Sequence, residues 1–264
     1  MSIWGKVIGG VGGFLLLGPL GALVGTAAGH AVDKEGWPSW LGGGGGKGEP
    51  RAGSGRPRPG SVGADARQQA FAVGVIALGA KMAKADGRVT KDEVAAFKQV
   101  FQIPPEDMKA VGAVFDHAKQ SADGYQVYAR QIADLFTDSP QVLEELLGAL
   151  YKIARADGVL HPAETAFLHD VARLFGLPAE AVTRLHAQYE RSAEGEPDPY
   201  AVLGVSPQAS DDEVRAAWRR LSREHHPDVL MAKGMPEEFV AQANETMAAI
   251  NHAYDRIRER RGLR

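Results

Sequence analysis

From Val7 to Gly29 the chain carries no Asp, Glu, Lys or Arg, and Lys6 and Asp33 bracket the stretch. No other feature narrows the possible folds so much, because a helix needs about 20 mostly apolar residues to cross a bilayer. Phe14-Leu15-Leu16-Leu17 lies at its middle. Gly5, Gly9 and Gly13, then Gly21, Gly25 and Gly29, recur at every fourth position. On a helix they form two smooth strips where a second copy can approach, so a homodimer through this segment is expected. Three readings fit the residues: a membrane anchor over residues 1–35, a cleaved signal segment, and a glycine-rich hairpin outside the bilayer. A signal segment has a shorter apolar core, and the many glycines, which weaken any helix, keep the hairpin in play. Length and flanks favour the anchor. Lys6 is the only side-chain charge ahead of the run, whereas Lys34, Lys47, Arg51, Arg56, Arg58 and Arg67 follow it. Basic residues stay on the cytoplasmic side, which predicts one pass through the membrane with the bulk of the chain in the cytoplasm.

Residues 36–64 contain Gly42 to Gly46 and the segment Pro50-Arg51-Ala52-Gly53-Ser54-Gly55-Arg56-Pro57-Arg58-Pro59-Gly60. Such a composition cannot bury enough apolar surface to offset its ordering entropy, so a tether is expected there. The whole chain has a formal net charge of −3, which gives no polycation to hold nucleic acid. Cysteine is absent, so disulfides, thiol nucleophiles and thiolate metal sites are excluded together.

Beyond the tether, apolar residues recur at helical spacing. Phe71, Val75, Leu78 and Met82 mark a helix over Gln68–Lys84, and similar stretches follow at Glu93–Phe101, Asp107–Ala118, Tyr125–Phe136, Pro140–Arg155, Ala163–Phe175 and Ala179–Tyr189. No alternating strand pattern interrupts them, so an all-α bundle over residues 65–192 is predicted. An internal repeat organises it. Ala83-Lys84-Ala85-Asp86-Gly87 through Glu93 matches Ala154-Arg155-Ala156-Asp157-Gly158 through Glu164, with Phe97 and Leu168 at the same offset. Gly87 and Gly158 suit left-handed helix ends, Thr90 with Glu93 suits a capping box, and Pro162 suits a first helical turn. The same carboxylates admit a second reading, in which Asp86, Glu93, Asp157 and Glu164 meet at a shared acidic site for a cation or basic ligand. The ligand order of an EF-hand is missing, so no metal is assigned. This repeat resembles the TerB-like, or tellurite-resistance, domain, a helical family with acidic residues near such Asp-Gly turns.

Glu194 to Pro199 forms a polar, proline-bearing boundary, and a new module over residues 198–264 follows. Ser210-Asp211-Asp212-Glu213 offers a capping box with acidic groups at the positive end of a long helix. On that helix Val214, Ala217, Trp218 and Leu221 share one face, while Arg215, Arg219 and Arg223 recur on another, beside Arg220. A basic strip alone is as readily a solvated surface as a docking one. His225-His226-Pro227-Asp228 ends the helix, since proline disfavours helical backbone at the residue before it. A rigid exposed loop is expected. After a polar interval, Phe239, Ala243, Met247, Ile250 and Tyr254 mark a second long helix, so an antiparallel hairpin with the tripeptide at its tip is predicted. A metal or hydrolytic site from His225, His226 and Asp228 is disfavoured. Adjacent histidines in a tight loop rarely reach one metal, and no nucleophile or Glu-x-x-His pattern completes a site.

Asp198-Pro199-Tyr200-Ala201-Val202-Leu203-Gly204-Val205, the basic helix, His226-Pro227-Asp228 and Ala249-Ile250-Asn251-His252-Ala253-Tyr254 stand in the order of a J domain, which this module resembles. The resemblance implies that His226, Pro227 and Asp228, with Arg215, Arg219, Arg220 and Arg223, bind a DnaK-type chaperone and stimulate its ATP hydrolysis. No catalytic residue or cofactor of its own is implied. Trp218 stands where that family commonly has tyrosine and is assigned to the core. The order of parts, opening with Ile3-Trp4-Gly5-Lys6, resembles the DjlA family of bacterial inner-membrane DnaJ-like proteins. That likeness implies a dimeric membrane segment, a cytoplasmic J domain, and a place in envelope stress or capsule signalling. The glycine-rich tether departs from the family pattern.

Overall fold

The computed structural model describes residues 3–4, 64–87, 89–189 and 197–262. The expected membrane segment, its dimer strips and most of the tether lie outside the described residues. Every described element is helical and no strand occurs among them, as the periodicity predicts. The bundle contains α1 (Ala64–Ala83), α2 (Lys91–Val100), α3 (Met108–Ala118), α4 (Tyr125–Leu135), α5 (Pro140–Ala154), α6 (Pro162–Leu174) and α7 (Ala179–Tyr189). It is followed by α8 (Pro199–Leu203), α9 (Asp211–Glu224), α10 (Pro227–Ala232), a 3-10 turn at Glu237–Phe239, and α11 (Val240–Arg261).

The central helix is α1. Phe71, Val75, Leu78 and Met82 are buried as expected, but so are Ala70, Ala72, Val73, Ile76, Ala77 and Ala80, so the helix is apolar on all sides and enclosed. It packs against α3, α4 and α5. Small residues permit this: a Cβ at Gly74 would strike Ile132 Cδ1, and one at Gly79 would lie 2.9 Å from Phe97 Cε2.

Both copies of the internal repeat form a helix-turn-helix. Gly87 and Gly158 take φ of +92° and +90°, a region open to glycine at no steric cost. In the first copy Thr90 Oγ1 accepts from the Glu93 amide (3.1 Å) and Glu93 Oε2 accepts from the Thr90 amide (2.6 Å). In the second, Glu164 Oε2 accepts from the His161 amide (2.9 Å) while Pro162 opens α6.

In the C-terminal module α8, α9 and α11 enclose a small core of Val202, Leu203, Val214, Leu221, Ile250, Ala253 and Ile257. Trp218 is only partly buried at its edge; it stacks on Tyr254 (centroids 4.5 Å apart) and its Nε1 donates to Asn251 Oδ1 at 2.9 Å. Near the end of α11, Arg261 donates to the Tyr200 hydroxyl and the Ala209 carbonyl, tying the last turn to the first.

The stretch between the long helices is not a polar interval. Leu230, Met235 and Phe239 are buried, with Ala243, in the core of the bundle and not in that of their own module. Phe239 meets Phe71 edge-on at 4.6 Å and Phe101 at 5.1 Å. Ile3 and Trp4 join the same cluster. Trp4 lies 6.3 Å from Phe101 and 6.4 Å from Phe239, and the Ile3 amide donates to Glu238 Oε1 at 2.8 Å.

Candidate functional site

The basic helix α9 is built as its sequence dictates. Ser210 caps it, with Oγ accepting from the Glu213 amide (3.3 Å) and Glu213 Oε2 accepting from the Ser210 amide (2.7 Å). Val214, Ala217 and Leu221 turn inward, which leaves Arg219, Arg220 and Arg223 exposed and Arg215 half-buried. Arg215 pairs with Asp212 (3.1 Å) and Arg220 with Glu224 (3.1 Å), while Arg223 Nε donates to the Arg219 carbonyl (3.2 Å). Exposed pairs of this kind are weak, so the guanidinium groups can exchange partners readily.

The His226-Pro227-Asp228 tripeptide differs from the expected tip of a free loop. It opens a helix. His226 is the N-cap of α10, with ψ of 130° as a residue before proline prefers, and its Nδ1 accepts from the Asp228 amide at 3.2 Å. Pro227 fills the first helical position, where no amide hydrogen is needed. The side chains still face solvent, at 50% exposure for His226 and 80% for Asp228. The residue before them does the opposite. His225 caps the C-terminus of α9 and is fully buried, with Nδ1 2.8 Å from Glu145 Oε1 on α5. Thr246 on α11 donates to the other oxygen of Glu145 (2.8 Å), and Glu144 takes two hydrogen bonds from Arg184 on α7 (2.7 and 3.0 Å). His225 Nε2 lies 3.7 Å from Glu144 Oε2. Burial works against charge on His225, but the bond to Glu145 and the nearness of Glu144 prevail and hold its pKa above the ordinary value. This buried set was not anticipated. Its glutamates sit among apolar residues of α5, and its partners lie 40 to 101 positions away.

Of the four carboxylates in the repeat, Glu93 and Glu164 are buried and face one another, and Asp86 lies close enough to act on Glu164. Burial, with the neighbouring charge of Glu93, raises the Glu164 pKa to about 7. Asp157 instead accepts from the Val159 amide (2.9 Å) in an exposed turn. Among the described residues no group of three or more such side chains could hold a metal ion.

A capped basic helix that ends in an exposed His-Pro-Asp, clasped by a second long helix, defines a J-domain protein. The comparisons agree, since residues 198–261 match the DnaJ domain, 72–187 the tellurite resistance protein TerB, and 1–58 the co-chaperone DjlA transmembrane domain. The chain is 31% identical over 287 aligned residues to "Co-chaperone protein DjlA" of Photobacterium profundum, covering 99% of this chain and all of that one. It is 32% identical to the protein of that name from Vibrio parahaemolyticus and 28% identical to that from Coxiella burnetii, with full coverage of both partners. No solved structure gives a significant match. The chain belongs to the DjlA family of co-chaperones, and its amino-terminal part matches that family's membrane domain. No described helix is long and apolar enough to cross a membrane.

Proposed function

We propose that the chain stimulates the ATPase of a DnaK-type chaperone through His226, Pro227 and Asp228, with Arg215, Arg219, Arg220 and Arg223 as the electrostatic docking surface. The observation that carries this is the contrast at the end of α9: His226 and Asp228 stand in solvent beside exposed arginines, while His225 next to them is immobilised. An exposed carboxylate suits a partner's arginine. A pre-ordered backbone lowers the ordering cost of binding, and a basic face speeds encounter with an acidic surface. Binding then favours the hydrolysis-competent state of the chaperone by differential affinity, so the co-chaperone needs no catalytic group. The purified protein should accelerate host DnaK ATP hydrolysis and His226→Gln should not; equal rates with both would overturn the reading.

The division into an anchor (1–35), a tether (36–64), a TerB-like bundle (65–192) and a J domain (198–264) belongs to the same proposal. So do the homodimer through the glycine strips, the cytoplasmic face of the inner membrane, and envelope stress or capsule signalling. A single crossing by residues 7–29 carries residues 1–6 to the side opposite the body, whereas Ile3 and Trp4 are seated against Phe101 and Phe239. The lack of cysteine makes a direct test simple. In intact cells, Ser2→Cys labelled by an impermeant maleimide supports one crossing, and labelling only after lysis supports the seated terminus.

A second reading is supported by the facing of Glu93 and Glu164. The bundle then takes a basic peptide at Asp86, Glu93 and Glu164, while Asp157, expected with them, is held in its own exposed turn. Titration with an oligolysine peptide should give binding that Asp86→Asn weakens; unchanged affinity with lower stability returns these side chains to capping.

A further inference from the structure

The tripeptide is not carried by a free-standing module. The residue before it is gripped by the bundle, and the side chains after it, Leu230, Met235 and Phe239, are sunk in the bundle core. We propose that Glu145 is a positioning residue for the co-chaperone surface, holding His226-Pro227-Asp228 in its binding-ready place through the ring of His225. The proposal rests on the reading that the tripeptide engages a DnaK-type chaperone.

The geometry allows Glu145 little else to do. It is 2% exposed, so it reaches no partner directly. Each of its two oxygens takes one bond, from His225 Nδ1 and from the Thr246 hydroxyl, which joins α9 to α11; burial raises its pKa, and the bond to His225 works against that rise, so its charge rests on the partner it holds. The charged groups facing His225 are Glu144 and Glu145 from α5 and Arg184 from α7, and Thr246 from α11 backs Glu145. With His225 protonated, the two carboxylates are balanced by two cations, and the buried set is neutral. Loss of that proton leaves a buried negative charge in excess and weakens the grip. A ring held at its Nδ1 fixes the end of α9, and the next residue is His226, the N-cap of α10. The tripeptide therefore inherits its place from a side chain on another domain.

If the grip is released, the exposed residues are unchanged but must be ordered on binding, which costs affinity and not the response at saturation. Glu145→Gln keeps the volume and removes the charge. In the DnaK ATPase assay with the full chain, it should raise the concentration for half-maximal stimulation about tenfold, equivalent to ~1.4 kcal/mol, and leave the plateau intact. Thr246→Val, which removes only the supporting hydrogen bond, should shift it about threefold in the same sense. Thermal melts must show both variants folded at the assay temperature, and the melt of Thr246→Val serves if Glu145→Gln is unstable.

The pH profile separates positioning from mere stability. Half-saturation by the wild-type chain should rise with pH as His225 loses its proton, and Glu145→Gln should flatten that dependence. Folded variants with wild-type half-saturation and an unaltered pH profile overturn the proposal. Failure of the wild-type chain to stimulate, or equal activity of His226→Gln, overturns the underlying reading instead.

Discussion

At the scale of single residues, the two ionisable clusters respond to pH in the same direction for different reasons. Glu164 is a carboxylate raised to about 7 by burial and by Glu93. Its ordinary value is 4.5, so between these values the folded chain holds a proton that the unfolded chain releases, and stability falls as pH rises through that window. Glu164→Gln should retain the bond from the His161 amide, flatten the fall, and raise the melting temperature at pH 8 by a few degrees. An unchanged pH slope in thermal melts would contradict this. His225 has a raised pKa as well, and for a cation the sign gives stability that is present at low pH and lost as pH rises through the folded value. His225→Leu, which leaves Glu145 buried without its partner, should cost about 3–5 kcal/mol in chemical denaturation at pH 6 and less at pH 9.

At the scale of elements, the helices and turns were legible because their signals are local. Thr90 and Glu93, Ser210 and Glu213, Gly87 and Gly158 sit within a few residues of the ends they make. Ser210→Ala should therefore cost about 1 kcal/mol in a denaturant titration while leaving helix content unchanged. The pattern places α1 but not its enclosure, and it passes over the segment after Pro227. In α1 the alanines and glycines look neutral to periodicity, yet they let α3, α4, α5 and α6 crowd around it. Gly74→Ala gains ~0.5–1 kcal/mol of backbone entropy. Collision with Ile132 costs ~1–3 kcal/mol, so net destabilisation is the expected result of a melt. The segment after Pro227 reads as polar because Leu230 and Met235 keep no helical or alternating period, while Phe239 falls in the helical stripe of α11 but is buried in the core of the bundle. Their burial is set by a partner surface that no short window contains. The tripeptide is legible in the sequence because its chemistry is in its own letters; the bond from its neighbour His225 to Glu145, 80 positions away, is not.

At the scale of the whole molecule, the bundle and the J domain share a core. Phe239 touches Phe71 of the central helix, and Lys152 pairs with Glu245 across the seam at 2.6 Å. Heating should give one cooperative transition for residues 64–262, and Phe239→Ala should lower that single transition by ~3–5 kcal/mol, where two separate steps would deny the shared core. J domains invite transplantation, because a short motif suggests a portable part. Here the graft would carry bare leucine, methionine and phenylalanine on its underside and a histidine stripped of its carboxylate. A chimera that joins residues 198–264 to a foreign body should therefore need a higher concentration for half-maximal stimulation and show a lower melting temperature than the intact chain, although the module keeps its own small core. What looks like a detachable part is thus seated in its neighbour, and an exchange that keeps the bundle with it keeps Leu230, Met235 and Phe239 covered.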